Sequence, residues 1–131
     1  MSESHVNYSI PEPPPIATDE PAIIDLAIED IETYGGEFKI LIPHLRDRLA
    51  MGIDKHGTPL QKSNGRNHRI DGFQELEDFI AYMKQGLERG DEEMRWFYYQ
   101  GLILASDFAE LLEGKQFNYN VKKKTILRPN E

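Results

Sequence analysis

The chain has 131 residues, 39% of them hydrophobic and 29% charged, with no cysteine and a formal net charge of −8. That describes one globular domain with tails at most. It excludes disulfides, thiol catalysis and cysteine-based zinc or iron–sulfur sites, and it argues against general nucleic-acid binding, which relies on basic surface to neutralise phosphates.

The charge is unevenly spread. Residues 1–38 carry nine acids and no Lys or Arg, and the other 93 residues carry the remaining 14 acids and all 15 cations, a balance of +1. No apolar run approaches the roughly 20 residues of a membrane span. The opening MSESHVNYS lacks the basic start and apolar core of a secretory signal. A cytoplasmic protein is the expectation.

Taken in order, residues 1–20 include PEPPPIATDEP and read as a flexible, acidic, Pro-rich tail. Asp19 and Pro21 suit the opening of a helix over Ala22–Tyr34, whose apolar residues Ile23, Leu26, Ala27 and Ile31 share one face before Gly35-Gly36 ends it. A second helix is expected over Glu37–Met51. Pro43 lies inside it, so the helix either kinks there or begins near it. Residues 52–70 read as a long connection with turn signals at Thr58-Pro59 and Asn64-Gly65, and a loop of that length is often functional.

A third helix is expected from Asp71, with Gln74 completing a capping box and Phe73, Leu76, Ile80, Met83 and Leu87 forming an apolar stripe to Glu88. Asp91 is the expected N-cap of a fourth helix that runs to Gly114. That helix is apolar on one side through Met94, Phe97, Gly101, Leu104 and Phe108, and partly so on the other through Trp96, Tyr99 and Ile103. A helix apolar on two sides is expected to be central or to lie at a dimer interface. The final stretch 115–131 reads as an irregular basic tail, with a short strand possible at Phe117–Val121 and three lysines at 122–124. The expected fold is therefore all-α: about four helices in a bundle-like domain over residues 21–114, with a disordered N-terminal tail.

Chemistry concentrates between Lys55 and Gln85. Lys55, Lys62, Arg66 and Arg69, with Gln61 and Asn64, form a basic stretch without a single acid as far as Ile70. Arg binds phosphate bidentately and Lys supplies a point charge, so Lys55, Lys62, Asn64 and Arg66 are candidate ligands for a polyphosphate or base. On a helical wheel Asp71, Glu75, Asp78, Tyr82 and Gln85 share the face opposite the apolar stripe. Glu75 and Asp78 are three residues apart and hence neighbours, and two such carboxylates can share a Mg²⁺ that keeps several waters. The plain alternatives are a solvated basic loop and a dipole-favoured acidic first turn. Asp107 and Glu110 on the fourth helix form a second pair with the same spacing. The histidines lack the spacing of a zinc site.

The succession of Lys55, Gly57–Gln61, Asn64–Arg66, Asp71, Glu75 and Asp78 resembles a motif of small phage-encoded proteins of the MazG-like kind. His56 stands where an aromatic is usual. The resemblance covers about 30 residues and implies an all-α nucleoside triphosphate pyrophosphatase. Such a protein cleaves a (deoxy)nucleoside triphosphate to the monophosphate and pyrophosphate with Mg²⁺, assembles as a dimer or tetramer, and works in the host cytoplasm when phage-encoded. On that reading Glu75 and Asp78 are catalytic, Asp71, Glu75 and Asp78 hold metal, and the partners are a nucleotide and further copies of the chain. The family's Glu-x-x-Asp element matches Glu75–Asp78, but its preceding Glu-x-x-Glu element is represented only by Asp47. Asp71, Glu77, Asp107 or Glu110 are the acids available to stand in. The alternative function is a non-enzymatic helical structural or adaptor protein of a phage that oligomerises or binds a partner protein.

Overall fold

A computed structural model describes residues 6–114. The strand expected at Phe117–Val121 and the lysines at 122–124 lie outside the described residues. The fold is all-α: α1 spans Ile23–Tyr34, α2 Leu41–His56, α3 His68–Glu88 and α4 Met94–Leu112, with a 3-10 turn at Gly36–Ile40 ahead of α2. Among the described residues the only β pairing is one isolated bridge, Ala22 with Gln61. No described helix is long and apolar enough to cross a membrane. The chain divides into two compact units, one of residues 12–66 and one in which residues 6–11 join the chain from Asn67 onward.

In the first unit, α1 starts without a capping side chain. Its N-cap is Ala22, and the Ile23 amide instead donates to the Leu60 carbonyl at 2.8 Å. A helix start leaves its first amides unpaired, so a neighbouring loop carbonyl does the work of a cap. Ile28 is the buried residue of α1, which packs on α2. Gly35, at φ 68°, closes α1 by donating to Ile31. The two possibilities at Pro43 resolve simply: α2 begins at Leu41, so Pro43 sits in the first turn, where a missing amide costs no hydrogen bond. The helix then runs five residues further than expected, to a left-handed Gly57 that donates to Ile53 at 2.7 Å. Lys55 and His56 thus belong to the last turn of α2 and not to a loop. The charge of Lys55 suits the negative end of the helix dipole.

In the second unit, α3 starts three residues before the expected capping box. Asn67 is the N-cap: its Oδ1 accepts from the amides of Arg69 at 3.0 Å and Ile70 at 3.2 Å. Gln74 does not reach back to the helix start. Its amide donates instead to the carbonyls of Tyr8 at 2.7 Å and Ile10 at 3.4 Å. The correction has a local cause, because Asn67 has the extended backbone and short acceptor side chain that an N-cap needs, one turn ahead of Asp71. Asp91 is likewise not the cap of α4. Its amide donates to the Gly86 carbonyl in the turn that closes α3, and α4 begins at Met94.

Helices α3 and α4 pack antiparallel through this turn. They come close at Gly86, where a Cβ would lie 2.8 Å from Met94 Cγ, and at Gly101, where it would lie 3.0 Å from the ring of Phe79 and 3.4 Å from Ile80. Further along, Phe73 stacks on Phe108 with ring centroids 6.1 Å apart, and Tyr8 meets the edge of Phe73 at the same distance. The apolar stripe of α3 is half-buried, and Glu75, Asp78, Tyr82 and Gln85 are exposed, as the wheel predicted. Replacing Asn67 with Ala should lower stability by about 1 kcal/mol, whereas Asp91→Ala should change it by less than about 0.5 kcal/mol. Urea denaturation of the two variants checks which residue caps.

Candidate functional site

The basic loop is ordered by its own N-terminal flank. The Pro-rich segment, expected as a flexible tail, has its backbone at Ile16, Thr18 and Glu20 hydrogen-bonded to Gln61 and Asn64 of the loop. Gln61, only 6% exposed, makes four hydrogen bonds with its side-chain amide. Its Nε2 donates to the carbonyls of Thr18 at 2.9 Å and Glu20 at 2.7 Å, and its Oε1 accepts from the Thr18 amide at 2.8 Å and the Thr58 hydroxyl at 3.3 Å. A primary amide carries two donors and one oxygen with two lone pairs, so this one is saturated. The Ile16 amide donates to the Asn64 carbonyl at 3.0 Å, and Arg66 donates through Nη1 to the Pro13 carbonyl at 2.6 Å.

Around this backbone clamp sits a small charged cluster. The Glu20 carboxylate accepts from the Ser63 amide at 2.9 Å, the Ser63 hydroxyl at 3.0 Å and the Thr18 hydroxyl at 3.1 Å, with the Lys62 ammonium 3.6 Å away. Partial burial pushes the Glu20 carboxyl up. The donors of Ser63 and Thr18 and the charge of Lys62 outweigh that and hold it below the ordinary glutamate range. Asn64 is 5% exposed; its Oδ1 accepts from the Arg66 amide at 3.1 Å, and its Nδ2 is buried without an acceptor.

The candidate substrate ligands therefore stand in different settings. Lys62, Asn64 and Arg66 lie in the loop, Lys62 beside Glu20 and Arg66 on the Pro13 carbonyl, whereas Lys55 lies on α2. Asn64 and Arg66 already serve the loop's own architecture through the Ile16 and Pro13 contacts.

The acids belong to the second unit. Asp71 is half-buried in the first turn of α3, and Glu75 and Asp78 follow on the same face, both exposed. A shallow cleft of about 350 Å³ is lined by Ser9, Pro11, Gln74, Glu77 and Asp78, so Asp78 shares it with Glu77 and not with Glu75. On α4, Asp107 is buried and Glu110 half-buried. Among the described residues no three His, Asp or Glu side chains converge as a metal cage. The donor chemistry of Glu75 and Asp78 still fits Mg²⁺, which is commonly bound by one or two carboxylates with water and phosphate oxygens completing the shell. Comparison with protein-family models, with curated proteins and with solved structures gives no match.

Thr18, Glu20 and Tyr8 were not legible as site or docking residues. Their partners lie 41 to 104 residues away along the chain, and nothing local marks them.

The folded pKa of Glu20 lies below its unfolded value. Its stabilising contribution is thus present above the unfolded value and lost as pH falls through the folded one. Wild type should therefore melt above Glu20→Gln at neutral pH, with the gap closing on acidification through the carboxylate range. A gap that stays constant with pH would show that the charge of Glu20 contributes nothing.

Proposed function

We propose that the chain is a Mg²⁺-dependent nucleotide pyrophosphohydrolase, cleaving a (deoxy)nucleoside triphosphate to the monophosphate and pyrophosphate. The observation that carries the reading is the pair Glu75 and Asp78, neighbours on a face of α3 left free by the packing against α4. These two would hold the metal, with Asp71 assisting from the first turn. A bound Mg²⁺ supplies neutralisation of phosphate charge and a more acidic water. Glu75 and Asp78 would also orient that water and accept its proton. Lys62, Asn64, Arg66 and Lys55, which belong to the other unit, are the candidate ligands for phosphate or base. With two carboxylates in reach, additional oxygen ligands come from water, from the substrate or from a second copy of the chain. A nucleotide substrate suits the cytoplasm, that of the host for a phage-encoded chain. Wild type incubated with deoxynucleoside triphosphates and Mg²⁺ should release pyrophosphate, and Glu75→Ala and Asp78→Asn should each lose at least about 100-fold in rate. The absence of release from wild type, or undiminished release from Glu75→Ala, refutes the hydrolase.

One observation favours a second reading, a helical protein that assembles with itself or with a partner protein. The described residues contain no side chain below 2% exposure, and Phe97 and Leu104, two turns apart on α4, are 43% and 41% exposed. Exposed apolar side chains that share a helix face are where self-association or a partner would bury surface. Light scattering should show an oligomer that Phe97→Asp with Leu104→Asp reduces to monomer. A monomeric wild type would remove this reading.

A further inference from the structure

The loop that carries Lys62, Ser63, Asn64 and Arg66 is rich in donors, and almost all of what those donors hold is the chain's own residues 12–20. Two features stand out. The first is the Glu20 carboxylate, an anion held by a backbone amide, two hydroxyls and an ammonium at 2.9 to 3.6 Å. Those are the groups with which proteins hold a phosphoryl oxygen, and the set is not satisfied by chance solvent exposure, since the Glu20 side chain is only 27% exposed. The second is Asn64 Nδ2, buried and without an acceptor in a residue whose Oδ1 and carbonyl oxygen are engaged. A buried donor left unpaired is costly, and the amide cannot be flipped to relieve it because Oδ1 accepts from the Arg66 amide.

We infer that residues 58–66 form an anion-binding loop for a phosphoryl group, and that Glu20 occupies it as an internal competitor. In the strapped state the carboxylate takes the Ser63 amide and hydroxyl and the Lys62 charge. A phosphate group carries more charge and a third acceptor oxygen, so it can use the same donors and offer one more oxygen to the loop. The inference rests on the reading of this loop as phosphate-binding under the hydrolase proposal, but it needs none of the carboxylates of α3 and no turnover.

The test measures binding of inorganic phosphate, pyrophosphate and a nucleoside triphosphate to the full chain by calorimetry, at ionic strength matched with chloride. Glu20→Gln keeps the hydrogen-bonding shape and removes the charge. It should bind phosphate at least about tenfold more tightly than wild type, and the double variant Glu20→Gln with Ser63→Ala should lose that gain. Equal affinity of Glu20→Gln and wild type overturns the inference, as does a gain that survives Ser63→Ala. If Glu20→Gln fails to fold, wild type alone decides: the Ile16 and Thr18 amides, held by Asn64 and Gln61, should exchange with solvent several-fold faster in phosphate than in chloride, and identical exchange overturns it. The three ligands separate a site for free phosphate from one that needs a polyphosphate or a base. A chain that binds phosphate on Glu20→Gln yet releases no pyrophosphate supports the inference and defeats the hydrolase. One that releases pyrophosphate with no change on Glu20→Gln does the reverse.

Discussion

The side-chain amide of Gln61 is the interaction on which the first unit depends. It stands in for a peptide group, donating to two carbonyls and accepting from an amide, all in the stretch Thr18–Glu20, and so adds that stretch to the loop as a strand would be added to a sheet edge. At roughly 1 kcal/mol per bond, and more for leaving buried partners unpaired, the clamp is a large fraction of what a small domain has to spare. Its neighbours follow from it. Once Thr18–Glu20 is fixed, Ala22 is brought beside Gln61, Leu60 can receive the first amide of α1, and α1 needs no capping side chain of its own.

The Pro-rich composition of the strap lowers what that docking costs. A proline-rich stretch loses less backbone entropy on being fixed in an extended conformation than an ordinary one. Four prolines precede the clamp, at Pro11, Pro13, Pro14 and Pro15, so the chain reaches Ile16 and Thr18 already close to extended. The same composition that reads as disorder in isolation is what makes this segment economical to hold.

Much of the fold was legible because helical periodicity is a repeated signal. Phe73, Leu76, Ile80, Met83 and Leu87 agree with one another, and five concordant positions outweigh local ambiguity. The ends were less legible because each depends on one residue. Asn67 and Asp71 are both good caps by type, and only the backbone conformation reached after Gly65 decides between them. The loop was legible as a stretch of cations and amides, but its engagement by residues 12–20 was not, since that is a contact across 43 residues between Thr18 and Gln61. The acidic face of α3 was legible as a face. Spacing along one helix says nothing of what a second helix contributes, and the described residues do not bring a third acid to the pair.

Covalent tethering gives the Glu20 contact a quantitative meaning. A group attached to the same chain acts at an effective concentration on the order of millimolar or higher. A free carboxylate of equal intrinsic affinity would displace it only at comparable concentration, and chloride would not. A polyphosphate would differ in kind, because it would bring several charges to the loop while Glu20 meets Lys62 with one. The strap would then discriminate by charge and not by shape, rejecting weak monoanions and yielding to ligands of high charge. Gln61 raises this threshold: its bonds tie the Thr18–Glu20 backbone to the loop, so displacing the carboxylate must also loosen that backbone.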